Sequence, residues 1–210
     1  MYSDAELTLA YKFANARVLD FPYPHFFIED VFPKAFYEHL QESIPDPSVM
    51  IPIEQARAVK GYKERFVLEV SKPEHQNSLP PDKRAFWHEF SEWLCSGRFT
   101  GLALQKFRTT IERRFQNGPQ PNYYNEALLV EDITKYALGP HTDSPRKVIT
   151  MLFYLPKDHS QSHIGTSIYL PKDPAFKCPG GPHYGFENFV RLHTMPFLPN
   201  SLFEIGRAHV

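Results

Sequence analysis

The chain has 210 residues, 42% hydrophobic and 15% aromatic, and its 23 Lys and Arg against 24 Asp and Glu leave a net charge of -1. This length suits one domain at roughly 150 residues per domain, and the apolar content is high enough to offset the ordering entropy of folding, which excludes global disorder. Neither sign of charge forms a long block, which argues against electrostatically driven binding to nucleic acid or a membrane surface.

In chain order, Ser3-Asp4-Ala5-Glu6 has the form of a capping box, and Leu7, Ala10 and Ala14 follow on one face, so a first helix is expected there. Pro24 to Val31 reads as extended. Pro33 suits a helix N1 position, and Phe36, Leu40 and Ile44 recur every four residues up to the break at Pro45. A strand is expected over Glu64 to Val70. Pro80 and Pro81 then open a helix in which Phe86, Phe90, Trp93 and Leu94 share a face and which Gly97 ends. One further helix carries Leu104, Phe107, Ile111 and Phe115 and stops at Asn117-Gly118, a predicted left-handed cap. Large apolar groups at helical spacing signify core packing.

From Tyr123 the pattern changes to short apolar runs separated by Gly, Pro and Asp: Glu126 to Ile133, Lys147 to Leu155, Thr166 to Leu170, Phe189 to Phe197 and Ser201 onward. Short strands at such intervals indicate a sandwich or jelly roll. The expected class is therefore α+β, a double-stranded β-helix (jelly roll) over residues 121–203 buttressed by mainly helical residues 1–120, in one domain over residues 1–203. The two cysteines, Cys95 and Cys178, lack CxxC spacing and read as free thiols of a reducing, cytoplasmic compartment. No run approaches the roughly 20 apolar residues of a membrane span, and Asp4, Glu6, Asp20, Glu29 and Asp30 occupy the region where a signal peptide would be apolar.

The segment richest in chemistry is Tyr136 to Leu155, YALGPHTDSPRKVITMLFYL. His141 and Asp143 alternate along a chain held extended by Pro140, so both side chains can reach one ion. An imidazole and a carboxylate are two of the three groups in the facial triad of non-haem Fe(II), which leaves positions open for a co-substrate and O2. In a chain with 10 His the tripeptide alone carries little weight. The following strand adds to it: Val148, Thr150, Leu152 and Tyr154 face one way and Ile149, Met151, Phe153 and Leu155 the other, which puts the hydroxyls of Thr150 and Tyr154 on one face.

Tyr136, His141-Thr142-Asp143 and Arg146 through Pro156 together resemble the prolyl-hydroxylase-like branch of the Fe(II)/2-oxoglutarate-dependent oxygenases, with the likeness extending over about residues 121 to 203. The resemblance implies a dioxygenase with Fe(II), 2-oxoglutarate and O2. It makes His141 and Asp143 metal ligands, and it gives Tyr154 a hydrogen bond to the distal carboxylate of 2-oxoglutarate. Tyr136 becomes a second pocket tyrosine, and Thr150 joins the co-substrate side of the pocket. Gly165-Thr166-Ser167-Ile168-Tyr169 falls where the family often has Gly-Gly-x-Leu, and the single glycine is a departure. The bland alternative is an Asx-type turn with a capping histidine beside an ordinary strand tyrosine.

The family supplies its third ligand, a histidine, past the strand that begins near Ser201, which here means a few residues past Val210, followed by an arginine for the 2-oxoglutarate carboxylate. The last jelly-roll strands are accordingly expected to be missing and the chain to be a fragment, inactive on its own. His209 stands in Ile205-Gly206-Arg207-Ala208-His209-Val210, which ATC GGA AGA GCA CAC GTC, a common sequencing-adapter string, encodes; residues 204–210 are expected to be non-native read-through. His193 is the in-chain alternative ligand, while His159, His163 and His183 read as solvated or loop-bonding residues. Cys178 and His183 supply only half of a structural zinc site. Two other function classes stay open, a non-enzymatic jelly-roll or cupin-like binding module and a cupin-like metal-dependent isomerase. The expected partner is a small molecule or peptide, with no nucleic acid and no membrane.

Overall fold

Ser3 caps the first helix in the computed structural model, which describes residues 3–57, 63–119, 121–133, 138–181 and 183–206. Ser3 Oγ accepts from the Glu6 N–H at 3.1 Å, and α1 runs Asp4–Asn15. Its buried stripe is Ala5, Leu9 and Phe13, whereas Leu7 is half exposed. The expected Leu7 stripe is thus displaced around the helix, because Leu9 and Phe13 remove more apolar area from water than two alanines can.

The remaining elements are β1 (His25–Ile28), α2 (Lys34–Ser43), β2 (Ile51–Pro52), α3 (Ile53–Ala56), β3 (Arg65–Glu69), α4 (Pro81–Leu94), α5 (Gly97–Lys106) and α6 (Arg108–Phe115). Then follow β4 (Leu128–Asp132), β5 (Ile149–Tyr154), β6 (Thr166–Pro171), β7 (Phe189–Met195) and β8 (Ser201–Gly206). Two helical expectations change. The single helix through Leu104 and Phe115 is two helices, broken at Phe107 (φ -105, ψ 18), whose buried ring stacks on Phe26 with centroids 5.9 Å apart. Tertiary packing of one aromatic outweighs helix continuity there. Gly118 does not adopt a left-handed cap; that conformation occurs at Asp30, Asn200, Gly180 and Gly181.

The described residues form two compact units. In the one that holds residues 38–101 and 122–137, the antiparallel sheet β2-β3-β4 pairs Val67 with Val130 and Leu68 with Leu129. Arg65 grips Asp132 in a two-pronged contact at 2.7 and 2.8 Å. The aromatic face of α4 is core, as its spacing predicts: Phe86, Trp87, Phe90 and Trp93 are buried, and the Trp87 indole donates to the Ser43 carbonyl at 2.8 Å.

The unit that holds residues 1–37, 102–121 and 138–210 has the antiparallel sheet β1-β8-β5 and the antiparallel pair β6-β7. β8 is central, and Ser201 through Glu204 are buried on both of its faces. The register pairs Thr150 with Ile205, Leu152 with Phe203 and Tyr154 with Ser201, so these six side chains share one face of the sheet. On that face Tyr154 and Phe203 pack with Ile168 of β6 and Met195 of β7, which joins the two sheets through a common core. On the opposite face Phe153 stacks on Phe32 at 5.7 Å. Asn200, in a left-handed turn (φ 55), fixes the start of β8 by accepting from the Phe32 N–H at 3.0 Å and donating to the Phe32 carbonyl at 2.8 Å. The class is α+β with antiparallel sheets that do not close into a barrel among the described residues. Among the same residues no helix is long and apolar enough to cross a membrane.

Candidate functional site

Gly139-Pro140-His141 leads into the loop before β5, and the loop is built around one carbonyl. Nδ1 of His141 lies 2.9 Å from the Gly139 carbonyl oxygen. A carbonyl can only accept, so Nδ1 carries the hydrogen, and in the neutral ring the lone pair is on Nε2. A carbonyl on one ring nitrogen that leaves the other free is the usual arrangement of a metal-binding histidine.

Asp143 is half-buried, and both of its oxygens are engaged. Oδ2 accepts from Thr150 Oγ1 at 2.7 Å, and Oδ1 pairs with Lys147 Nζ at 3.0 Å. Burial by itself opposes ionisation, but the Lys147 ammonium, the Thr150 hydroxyl and the charge on His141 together hold the carboxyl below its ordinary value. The site therefore keeps a carboxylate at neutral pH.

Thr150 belongs to β5, and Tyr154 follows it on the same face after Leu152, at a spacing of about 13 Å along the strand. Tyr154 is 6% exposed, and its hydroxyl accepts from the Thr166 N–H at 3.2 Å. Burial pushes its phenol up, partly countered by that hydrogen bond. Just before it, Gly165 has no room for a side chain: a Cβ would sit 1.6 Å from the Met195 carbonyl oxygen. The one glycine of the Gly165-Thr166 motif thus stands where β7 crosses the backbone.

The structure joins Asp143 to Thr150 by a hydrogen bond and sets Tyr154 on the same strand face as Thr150; His141, two residues before Asp143, is held by Gly139. Tyr136 and His209 lie outside the described residues. His193 is on an exposed stretch of β7. Cys95 and Cys178 are both free thiols. Among the described residues no cluster of three or more His, Cys, Asp or Glu is arranged to hold a metal ion. The donor types present, an imidazole nitrogen and a carboxylate, are those of two positions of a three-residue site.

His183 is an exposed loop histidine, as expected, and its ring stacks on His141 with centroids 4.2 Å apart and planes inclined by 29°. Loss of hydration, then the neighbouring charge of His141, holds its imidazole below the ordinary value. Near-parallel rings send their in-plane lone pairs side by side, not to one point, so this stack does not make His183 a co-ligand of His141. Around it, the Thr142 hydroxyl donates to Cys178 Sγ at 3.2 Å. Burial raises the Cys178 thiol, but the hydrogen bonds from Thr142, Gly180 and Tyr184 outweigh it and leave the thiol below its ordinary value. One sequence signal for this junction is Gly139, where a Cβ would meet the Tyr184 carbonyl oxygen at 2.3 Å.

Comparison of the chain with protein-family models, with curated proteins and with solved structures gave no match.

Proposed function

We propose that the chain is the catalytic portion of a non-haem Fe(II) and 2-oxoglutarate-dependent dioxygenase on a jelly-roll scaffold, of the prolyl-hydroxylase-like branch. His141 Nε2 and the Asp143 carboxylate would hold the iron. The third ligand would be a histidine that follows the strand beginning near Ser201, with an arginine beyond it for 2-oxoglutarate. The observation that carries the reading is the 2.7 Å hydrogen bond from Thr150 to Asp143, which ties the His-x-Asp loop to the strand face bearing Tyr154.

When bound, the iron and its co-substrate supply oxidising power: 2-oxoglutarate and O2 become succinate and CO2 while one oxygen atom enters a substrate C–H bond. The chain's own residues would do the rest. Gly139 fixes the His141 tautomer, Thr150 orients the Asp143 carboxylate, and the buried Tyr154 hydroxyl would serve the distal carboxylate of 2-oxoglutarate in exchange for its Thr166 partner. Tyr136 is assigned a second place in that pocket. The substrate class is a small molecule or a peptide. Two free cysteines support a cytoplasmic setting.

One observation favours a second reading. The Lys147 ammonium already neutralises Asp143 without any ion, as a binding module with no metal would require. Calorimetric titration with Co(II), a redox-stable substitute for Fe(II), separates the two: the oxygenase reading expects binding that His141→Ala and Asp143→Ala abolish. Succinate release that requires Fe(II), O2 and 2-oxoglutarate together, in the polypeptide carrying the third ligand, separates it from a cupin-like isomerase. Unchanged release in His141→Ala rejects the assignment.

A further inference from the structure

Two backbone hydrogen bonds bracket His141. The Tyr184 N–H donates to the Pro140 carbonyl at 3.0 Å, and the Gly181 N–H donates to the Thr142 carbonyl at 3.0 Å. The residues on either side of His141 are therefore both tied to one distant loop. Gly180 and Gly181, at φ 93 and 103, give that loop a turn that L side chains rarely adopt. Gly139 lets the two backbones approach, since a Cβ there would collide with the Tyr184 carbonyl. Tyr184 is held in turn by Phe176, edge-on at 4.9 Å, and by Phe189 at the start of β7, 6.1 Å away. Gly181 and Tyr184 are thus both anchored beside His141, and the exposed His183 ring stacks on the His141 ring with planes inclined by 29°.

An imidazole held by one hydrogen bond at Nδ1 can still turn about its Cβ–Cγ bond; the turn breaks that hydrogen bond, frees the tautomer and sweeps Nε2 through an arc. A planar partner against one ring face stops it. We infer that His183 is a positioning residue, which clamps the His141 ring plane so that Nε2 is presented in one direction. The inference deepens the proposed function and rests on His141 being a metal ligand. In this arrangement His183 contributes through its flat surface, and a different flat ring can replace it.

The test uses His183→Ala, His183→Phe and His141→Ala in the polypeptide carrying the third ligand, each titrated with Co(II) and each melted without metal. His183→Ala is expected to weaken Co(II) binding by about tenfold, as loss of a group that orients a ligand does, while the metal-free melting temperature stays close to wild type. His183→Phe is expected to restore the affinity. A second readout needs no metal: the His141 ring nitrogens, followed by NMR, should report one Nδ1–H tautomer in wild type and in His183→Phe, and a mixture in His183→Ala. Wild-type behaviour of His183→Ala in both measurements overturns the inference, as does a phenylalanine variant as impaired as the alanine one. Absence of Co(II) binding in wild type, or binding indifferent to His141→Ala, defeats the proposed function instead, and the tautomer measurement then decides the clamp alone.

Discussion

Replacing Glu204 by methionine should stabilise this chain. The side chain is fully buried on central strand β8, paired with Phe26 on one side and Met151 on the other, and neither carboxyl oxygen has a hydrogen-bond partner. Burial drives its pKa well above the ordinary carboxylate value, only partly countered by the Lys106 ammonium. A raised folded-state pKa makes the folded chain hold a proton that the unfolded chain releases. Its favourable share is complete below the ordinary carboxylate pKa, and it is lost as pH climbs from there toward the raised value, at about 1.4 kcal/mol per pH unit within that window. Leaving a buried polar group unsatisfied costs a further 1–3 kcal/mol or so. Methionine has a similar unbranched shape and no polar atoms, so Glu204→Met should gain about 1–3 kcal/mol at acid pH and more at neutral pH. Urea denaturation of both proteins at intervals from pH 4 to 8 measures it, and the variant's advantage should widen as pH rises. An advantage that is constant with pH, or absent throughout, refutes the assignment of a buried, protonated Glu204.

Three further outcomes follow from the site. Thr150→Val removes the hydroxyl that holds Asp143 Oδ2 and should lower Co(II) affinity about tenfold in calorimetry, and the Asp143 carboxyl pKa, followed by NMR, should move up toward its ordinary value. Tyr154→Phe leaves the Thr166 N–H without its acceptor, which should cost about 1 kcal/mol in urea denaturation; under the proposed function it should also raise the KM for 2-oxoglutarate. Gly165→Ala forces a Cβ against the Met195 carbonyl, where backbone has to move, and should destabilise by about 1–3 kcal/mol, with loss of hydrogen-exchange protection along β6 and β7 as the local signature.

Much of this architecture is local and could be read from the chain alone. Ser3 caps its helix because an N-cap hydroxyl needs only the N–H three residues on, and α4 exposes its aromatic stripe to packing because helical period and side-chain size are written in order. The alternation Thr150-Leu152-Tyr154 is likewise a property of extended backbone, so the shared face of the two hydroxyls followed from period two. What neighbours along the chain cannot express is contact between distant segments. The break at Phe107 exists because Phe26 lies beside it. The stripe on α1 is chosen by what covers Leu9 and Phe13. The stack of His183 on His141, 42 positions earlier, is not legible because nothing within its own loop points there; two backbone hydrogen bonds and one close backbone approach at Gly139 bring the rings together. Sequence by itself determined which residues have the chemistry of ligands, because residue type and strand period fix donor atoms and their side. Only the tertiary structure decided their surroundings, a carbonyl two residues back on the imidazole, a hydroxyl seven residues on at the carboxylate and a second ring from 42 positions away across the imidazole face, because side-chain orientation is fixed by packing that residue type and strand period do not specify.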